Sequence, residues 1–177
     1  SLLKRDLAFI LAHAREPCFD IWEEEVGLHY YTVSVCEAAL AAGAAWCLSS
    51  DQQLSAECLR GAGDLAALRQ NFWLQDEGYI RSRMLPEGRS TKELDISVIL
   101  AANHARQPCD SHLLATLNRL AALFGDSYVI NSGHGAGPAM GRYASDRYYS
   151  GGAYYFSTLG AAEFCYRMGD RNRGDAF

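Results

Sequence analysis

The sequence predicts an all-α protein, about half of a toroid of paired helices. Three observations carry this. Apolar residues recur at helical spacing in six separate segments. Those segments alternate between charge-poor stretches, apolar on most faces, and amphipathic ones with a single apolar stripe. The connections between successive pairs are long and rich in turn residues, and long loops in a compact domain are usually functional. Inner helices buried on both sides, outer helices half exposed and loops gathered at one end satisfy all three.

Taken in order, the first helix runs from about Leu2 to Ala14, with Leu2, Leu3, Leu7, Ile10 and Leu11 on one face. A loop broken by Pro17 and Gly27 follows, from Arg15 to His29. The stretch Tyr31 to Leu48, rich in Ala and nearly free of charge, reads as a helix buried all round. Gln53 to Phe72 is amphipathic, weakened in its first half by Gly61 and Gly63. Turn signals at Asp76-Glu77-Gly78 and Pro86-Glu87-Gly88 make Trp73 to Gly88 a loop with a short extended piece. Glu93 to Ala105 is apolar on most faces, and Ser111 to Phe124 is amphipathic. A long glycine-rich loop from Gly125 to Gly152 leads into a last helix, about Ala153 to Met168.

Composition narrows the function classes. Hydrophobic residues at 49% and charged residues at 21% exclude a disordered chain. A formal net charge of −5 argues against sequence-independent nucleic-acid binding, which needs a basic face. No apolar run reaches the ~18 residues of a membrane span. The chain opens without Met, already inside an amphipathic pattern, as expected for a segment of something longer. Among the six cysteines no Cys-x-x-Cys pair occurs, and buried free thiols are the expectation. His104, Cys109 and His112 could offer three metal ligands, against which stands the loop reading that Pro108 supports.

Two stretches concentrate chemistry. FDIWEEE, Phe19 to Glu25, packs four acids around a tryptophan. It suits a helix N-terminus, where acids favour the dipole. It equally suits a catalytic carboxyl group beside an aromatic wall, the arrangement that raises a glutamate's pKa in sugar-cleaving sites. GRYASDRYYSGGAYY, Gly141 to Tyr155, mixes Arg142, Asp146 and Arg147 with five tyrosines. An arginine–aspartate pair rimmed by aromatics suits an uncharged, polyhydroxylated ligand; aromatics that merely cap the core are the plainer reading. SGHGAGP, Ser132 to Pro138, lacks the Lys-Ser/Thr of a phosphate-binding loop.

Together, the chain resembles the catalytic domain of the glucoamylase family, glycoside hydrolase family 15. Asp20-Ile21-Trp22-Glu23-Glu24 matches that family's Asp-Leu-Trp-Glu-Glu, and Gly141-Arg142-Tyr143-Ala144-Ser145-Asp146-Arg147-Tyr148 its Gly-Arg-Tyr-x-x-Asp-x-Tyr. The resemblance is collinear over nearly the whole chain. It implies an (α/α)6 toroid, of which residues 1–177 would be a partial catalytic domain. It also implies an inverting hydrolase that releases glucose from the non-reducing ends of starch-like α-glucans. Glu23 would be the general acid and Glu24 a neighbouring sugar-holding carboxylate. Trp22 and the backbone of Ile21 would line the cleavage subsite, Arg142 and Asp146 would hold the terminal glucose, and Tyr148 would join them as a substrate-binding residue. No cofactor and no metal are implied. The partners would be starch or maltooligosaccharides and the rest of the same catalytic domain, and the compartment secreted or periplasmic. Action on trehalose, dextran or another α-glucoside, or a non-catalytic carbohydrate-binding role, are the alternatives. Ser150-Gly151-Gly152-Ala153-Tyr154 departs from the family's Asn-Gly-Asn-Pro-Trp and looks more bacterial than fungal. The general base of an inverting pair would lie outside this chain.

Overall fold

The computed structural model describes residues 1–133, 137–148 and 151–177. Tyr149 of the second motif and the centre of SGHGAGP lie outside the described residues. Helices α1 (Leu2–His13), α2 (Tyr30–Cys47), α3 (Gln52–Gln70), α4 (Ser97–His104), α5 (Ser111–Ser127) and α6 (Tyr155–Arg167) account for all six expected segments. A short α7 (Arg171–Ala176), which periodicity does not announce, closes the chain; Asp170 caps it by accepting from the Arg173 N–H.

The helices form two layers. α2 packs on α4 and α4 on α6, an inner arc, while α1 and α3 back α2 and α5 backs α4. α4 is buried throughout from Ser97 to Asn103 because it sits between two other inner helices. The expectation that Tyr31–Leu48 is buried all round is corrected. α2 flanks the arc and leaves Ala41, Ala42, Ala45 and Trp46 exposed, and α6 on the other flank exposes Tyr155 and Leu159.

Glycine does not break α3. Gly61 is buried where a Cβ would come 2.7 Å from Leu11 and 2.9 Å from Leu40, so close packing overrides its poor propensity. At the second interface Asn103 donates to the Gly160 carbonyl (2.8 Å), and Arg167 donates to the carbonyls of Ala102 and Gln107.

Caps separate the layers as well. The outer helices α1, α3 and α5 start at Ser1, Asp51 and Asp110, whose side chains accept from the N–H three residues on. The N-cap residues of the inner helices, His29, Ile96 and Tyr154, make no side-chain cap bond; instead Tyr30 N–H donates to the Ser82 carbonyl, Ser97 N–H to the Asp95 carboxylate and Tyr154 N–H to the Met140 carbonyl. Each inner helix is preceded by a long loop, and these three loops meet at one end of the arc.

The loops carry the only strands among the described residues, all short. β1 (Cys18–Phe19), β2 (Val26–His29) and β5 (Arg83–Met84) form an antiparallel sheet in the order β1-β2-β5, with Cys18 opposite Gly27 and His29 opposite Arg83. β3 (Trp73–Leu74) and β4 (Tyr79–Ile80) make a hairpin where one extended piece was expected. FDIWEEE is therefore not a helix start: Phe19 ends β1, and Asp20 to Glu25 form the turn between β1 and β2. α4 begins four residues later than its apolar pattern suggests. Glu93 pairs with Arg89, Asp95 bridges to Tyr143, and the Ile96 N–H donates to the Arg142 carbonyl, which commits that stretch to the loop cluster.

His104, Cys109 and His112 do not converge on a common point. His104 hydrogen-bonds the Tyr31 hydroxyl, whereas His112 stacks on Trp73 with centroids 3.8 Å apart.

Candidate active site

The first loop is shaped by its own aspartate. One oxygen of the buried Asp20 accepts from the N–H groups of both Trp22 (2.9 Å) and Glu24 (3.0 Å), and the Glu23 N–H donates to the Asp20 carbonyl. The resulting turn holds Glu23 at φ 59°, a left-handed conformation uncommon for a residue with a side chain. Ser145, in the second motif, sits at φ 61°. Strain of about 1 kcal/mol or more at such positions persists only where surrounding contacts impose it, and it collects at functional sites.

Glu23 is exposed, and among the described residues its carboxylate has no hydrogen-bond partner. Glu24, also exposed as a residue, differs in that its carboxylate is fully engaged. One oxygen accepts from Arg142 Nη2 (3.0 Å); the other accepts from Lys92 Nζ (2.8 Å) and the Tyr143 hydroxyl (2.5 Å). Burial alone would raise its carboxyl pKa, but the hydrogen bonds from Lys92 and Tyr143 and the charge of Arg142 outweigh it and hold Glu24 below the ordinary glutamate value. The Tyr143 hydroxyl is pushed up, by burial first and by its bond to Glu24 next.

Arg142 is the hub. Its guanidinium meets Asp146 through two bonds of 2.6 and 2.7 Å, the bidentate fit that arginine makes with carboxylates. It also lies 5.2 Å from the Trp22 ring and 5.0 Å from the Tyr148 ring. Asp146 in turn accepts from the Tyr148 N–H (2.9 Å), which fixes the backbone beneath that half-exposed ring. Trp22 additionally contacts Phe156, with centroids 5.6 Å apart. Thus residues 118 positions apart in the chain, Glu24 and Arg142, are bonded directly, and Trp22, Glu24, Arg142, Asp146 and Tyr148 form one contact cluster, with Glu23 beside it in the chain between Trp22 and Glu24. Ile21 instead packs against the hydrophobic core.

Motif reading passed over a second charged cluster beneath this face. Arg83, 1% exposed, donates to Asp20 (2.9 Å), Glu25 (2.7 Å) and Asp95 (2.6 Å). Asp95 also accepts from the Trp22 indole N–H (2.9 Å). Its burial is complete and pushes its carboxyl up, against the pull of Arg83. Tyr143 and Lys92 lay inside or beside stretches whose likeness was visible; Arg83 had no local signal, because two of its partners, Asp20 and Glu25, come from another loop and the third, Asp95, lies twelve residues further along its own.

Asp146 ties the site to pH. Burial would raise its carboxyl, but the bonds from Arg142 and the Tyr148 N–H lower it overall. A depressed folded-state pKa contributes stability that is complete above the unfolded value and is lost as pH falls through the folded one. Asp146→Asn leaves Arg142 without its buried partner and is expected to cost about 3 kcal/mol of unfolding free energy at pH 7. The gap to the parent protein should narrow as pH drops below about 4. Denaturant titrations across that range check this, and a gap that stays constant down to about pH 2.5 contradicts the pairing.

Comparison with known proteins agrees with the geometry. The family profile described as glycosyl hydrolases family 15 matches residues 1–174. A glucoamylase of Neurospora crassa is 33% identical over 93% of this chain, and glucoamylase 1 of Rhizopus oryzae 30% identical over 92%. The chain spans 28% and 30% of those two proteins, under a third of their length. Among solved structures, the family 15 glucoamylase of Hypocrea jecorina superposes with a TM-score of 0.85 at 29% identity, over 93% of this chain and 29% of that one. The glucoamylase of Saccharomycopsis fibuligera reaches 0.88 at 25% identity, over 93% and 38%. These relatives are fungal, so the bacterial cast read into Ser150–Tyr154 gains no support from them. The architecture is a partial (α/α)6 barrel. With its helical arc, its collinear motifs and a profile match over almost its entire length, the chain belongs to glycosyl hydrolases family 15.

Proposed function

We propose that this chain is the acid-bearing part of an exo-acting α-glucan hydrolase, releasing glucose from non-reducing ends with inversion. The observation that carries the reading is the contrast between two adjacent glutamates. Glu24 is held ionised by Lys92, Tyr143 and Arg142, while Glu23, one residue away, has an exposed and uncommitted carboxyl group. A general acid must be able to lose a proton to the leaving oxygen and a sugar-holding carboxylate must not compete for it. Glu23 takes the first role and Glu24 the second.

Arg142, oriented by Asp146, has the planar donors to bind adjacent hydroxyls of a terminal glucose. Trp22 and Tyr148 supply aromatic rings 5.2 and 5.0 Å from the Arg142 guanidinium, and Ile21 contributes backbone to the same wall. An inverting enzyme places its base about 6.5–9.5 Å from the acid, with room for a water. That base belongs to a further part of the catalytic domain, of which residues 1–177 form a portion. Starch-type glucans are the substrate class, and a secreted or periplasmic address goes with it.

The test is anomeric. The full-length protein should release β-glucose from maltotriose, followed by NMR during the first turnovers, while the isolated 177-residue chain should release none. α-Glucose as the first product, or inverting turnover by the isolated chain, overturns the assignment.

A further inference from the structure

We infer that Asp95, held by Arg83, is a positioning residue that sets the pose of Trp22 beside the acid; this rests on the reading of Glu23 and Trp22 above. Every nitrogen of the Arg83 guanidinium donates. Its Nε donates to the Ser82 hydroxyl (2.9 Å), its Nη1 to both Asp20 and Glu25, and its Nη2 to Asp95. Asp20 and Glu25 are the two ends of the turn that carries Glu23, and their backbones also close on each other through Asp20 N–H to Glu25 carbonyl (3.1 Å). A single buried cation therefore pins both feet of the loop.

The third anion holds the aromatic wall. Asp95 is fully buried. Its Oδ2 is shared between Arg83 and the Trp22 indole N–H, and its Oδ1 accepts from the Ser97 N–H (2.7 Å) at the first residue of α4. Trp22 thus has its backbone fixed by Asp20 and its ring fixed by Asp95, two groups joined by one guanidinium. Its ring face stays against Arg142 and Phe156. Three carboxylates for one arginine is a poor device for stability, since each buried charge costs desolvation. It is a good device for fixing the angle of an indole, because supporting shells decide whether a site is held to within a fraction of an ångström.

The experiment compares Asp95→Leu and Asp95→Asn in the full-length protein. Each is made with and without Trp22→Phe, so that the difference in near-ultraviolet circular dichroism isolates the Trp22 band. Asparagine offers one oxygen that still accepts from the indole; leucine offers none. Asp95→Leu should lose the Trp22 band and about 50-fold in kcat, the scale of a 1 Å misplacement, with KM within about threefold. Asp95→Asn should keep the band and stay within about fivefold of the parent in kcat. Should Asp95→Leu not fold, Asp95→Asn carries the comparison alone. A kcat that falls while the Trp22 band is intact, or a band that vanishes while kcat is unchanged, overturns the inference. Parent protein without hydrolytic activity would count against the proposed function instead, and the Trp22 band would still report on the hold that Asp95 has over it.

Discussion

Replacing Glu23 with glutamine in the full-length protein is expected to lower kcat on maltooligosaccharides by about 10³–10⁴-fold, with KM changed less than about threefold. The amide keeps the size and hydrogen-bonding reach of the side chain but has no proton to give. In barrier terms the loss is about 4–5.5 kcal/mol. Substitution from within the chain is blocked by geometry. Glu24 is the nearest acid in sequence, but both its oxygens are occupied by Lys92, Arg142 and Tyr143, and those partners hold its pKa below the ordinary value. It stays ionised where the enzyme would work. A substrate with a better leaving group, such as a fluoride, should recover much of the lost rate, because it needs little protonation. Steady-state kinetics on both substrates decide the matter; turnover on maltooligosaccharides within tenfold of the parent would exclude Glu23 as the acid.

Arg142→Lys should reduce kcat/KM by about 10²–10³-fold, or about 3–4 kcal/mol, although the charge is conserved. Lysine cannot make the two-point contact with Asp146 at 2.6 and 2.7 Å while also reaching Glu24, and it has no planar face to lie 5 Å from the rings of Trp22 and Tyr148. The loss should be visible for maltose and for longer glucans alike, since the terminal sugar is common to both. Alanine is the less informative change: it strands the buried Asp146, a cost of about 3–5 kcal/mol that mixes folding with binding. If Arg142→Lys retains parental kcat/KM, the arginine does not hold the sugar.

Much of the scaffold was legible because helical burial is a local signal. Leu113, Leu117, Leu120 and Phe124 recur at helical spacing, and all four are buried in α5. The errors fall where tertiary contacts override that signal. Glu93 to Ile96 has an apolar helical pattern, yet its polar and backbone groups are claimed by Arg89, Tyr143 and Arg142 from neighbouring loops. Gly61 weakens α3 on propensity alone, but it is the residue that lets Leu11 and Leu40 approach. FDIWEEE had the composition of a helix start, and pairing of β1 with β2 made it a turn.

By itself the sequence determined the helical segments and the two motifs, and it singled out Glu23, Glu24, Arg142 and Asp146 as candidates. Each of these is a pattern contained within about twenty residues. Only the tertiary structure decided which glutamate is bound and which is uncommitted, because Lys92 and Arg142 reach Glu24 from 68 and 118 positions away. It alone placed Arg83 under the acid loop, 63 residues from Asp20, and Asp95 under Trp22, 73 residues away. The physical reason is the same in both cases. Helices are stabilised by neighbours three and four residues apart, so their pattern is written locally. A buried charge has to find its counter-charge wherever the fold brings one, and here the fold brings them from three loops at one end of the arc.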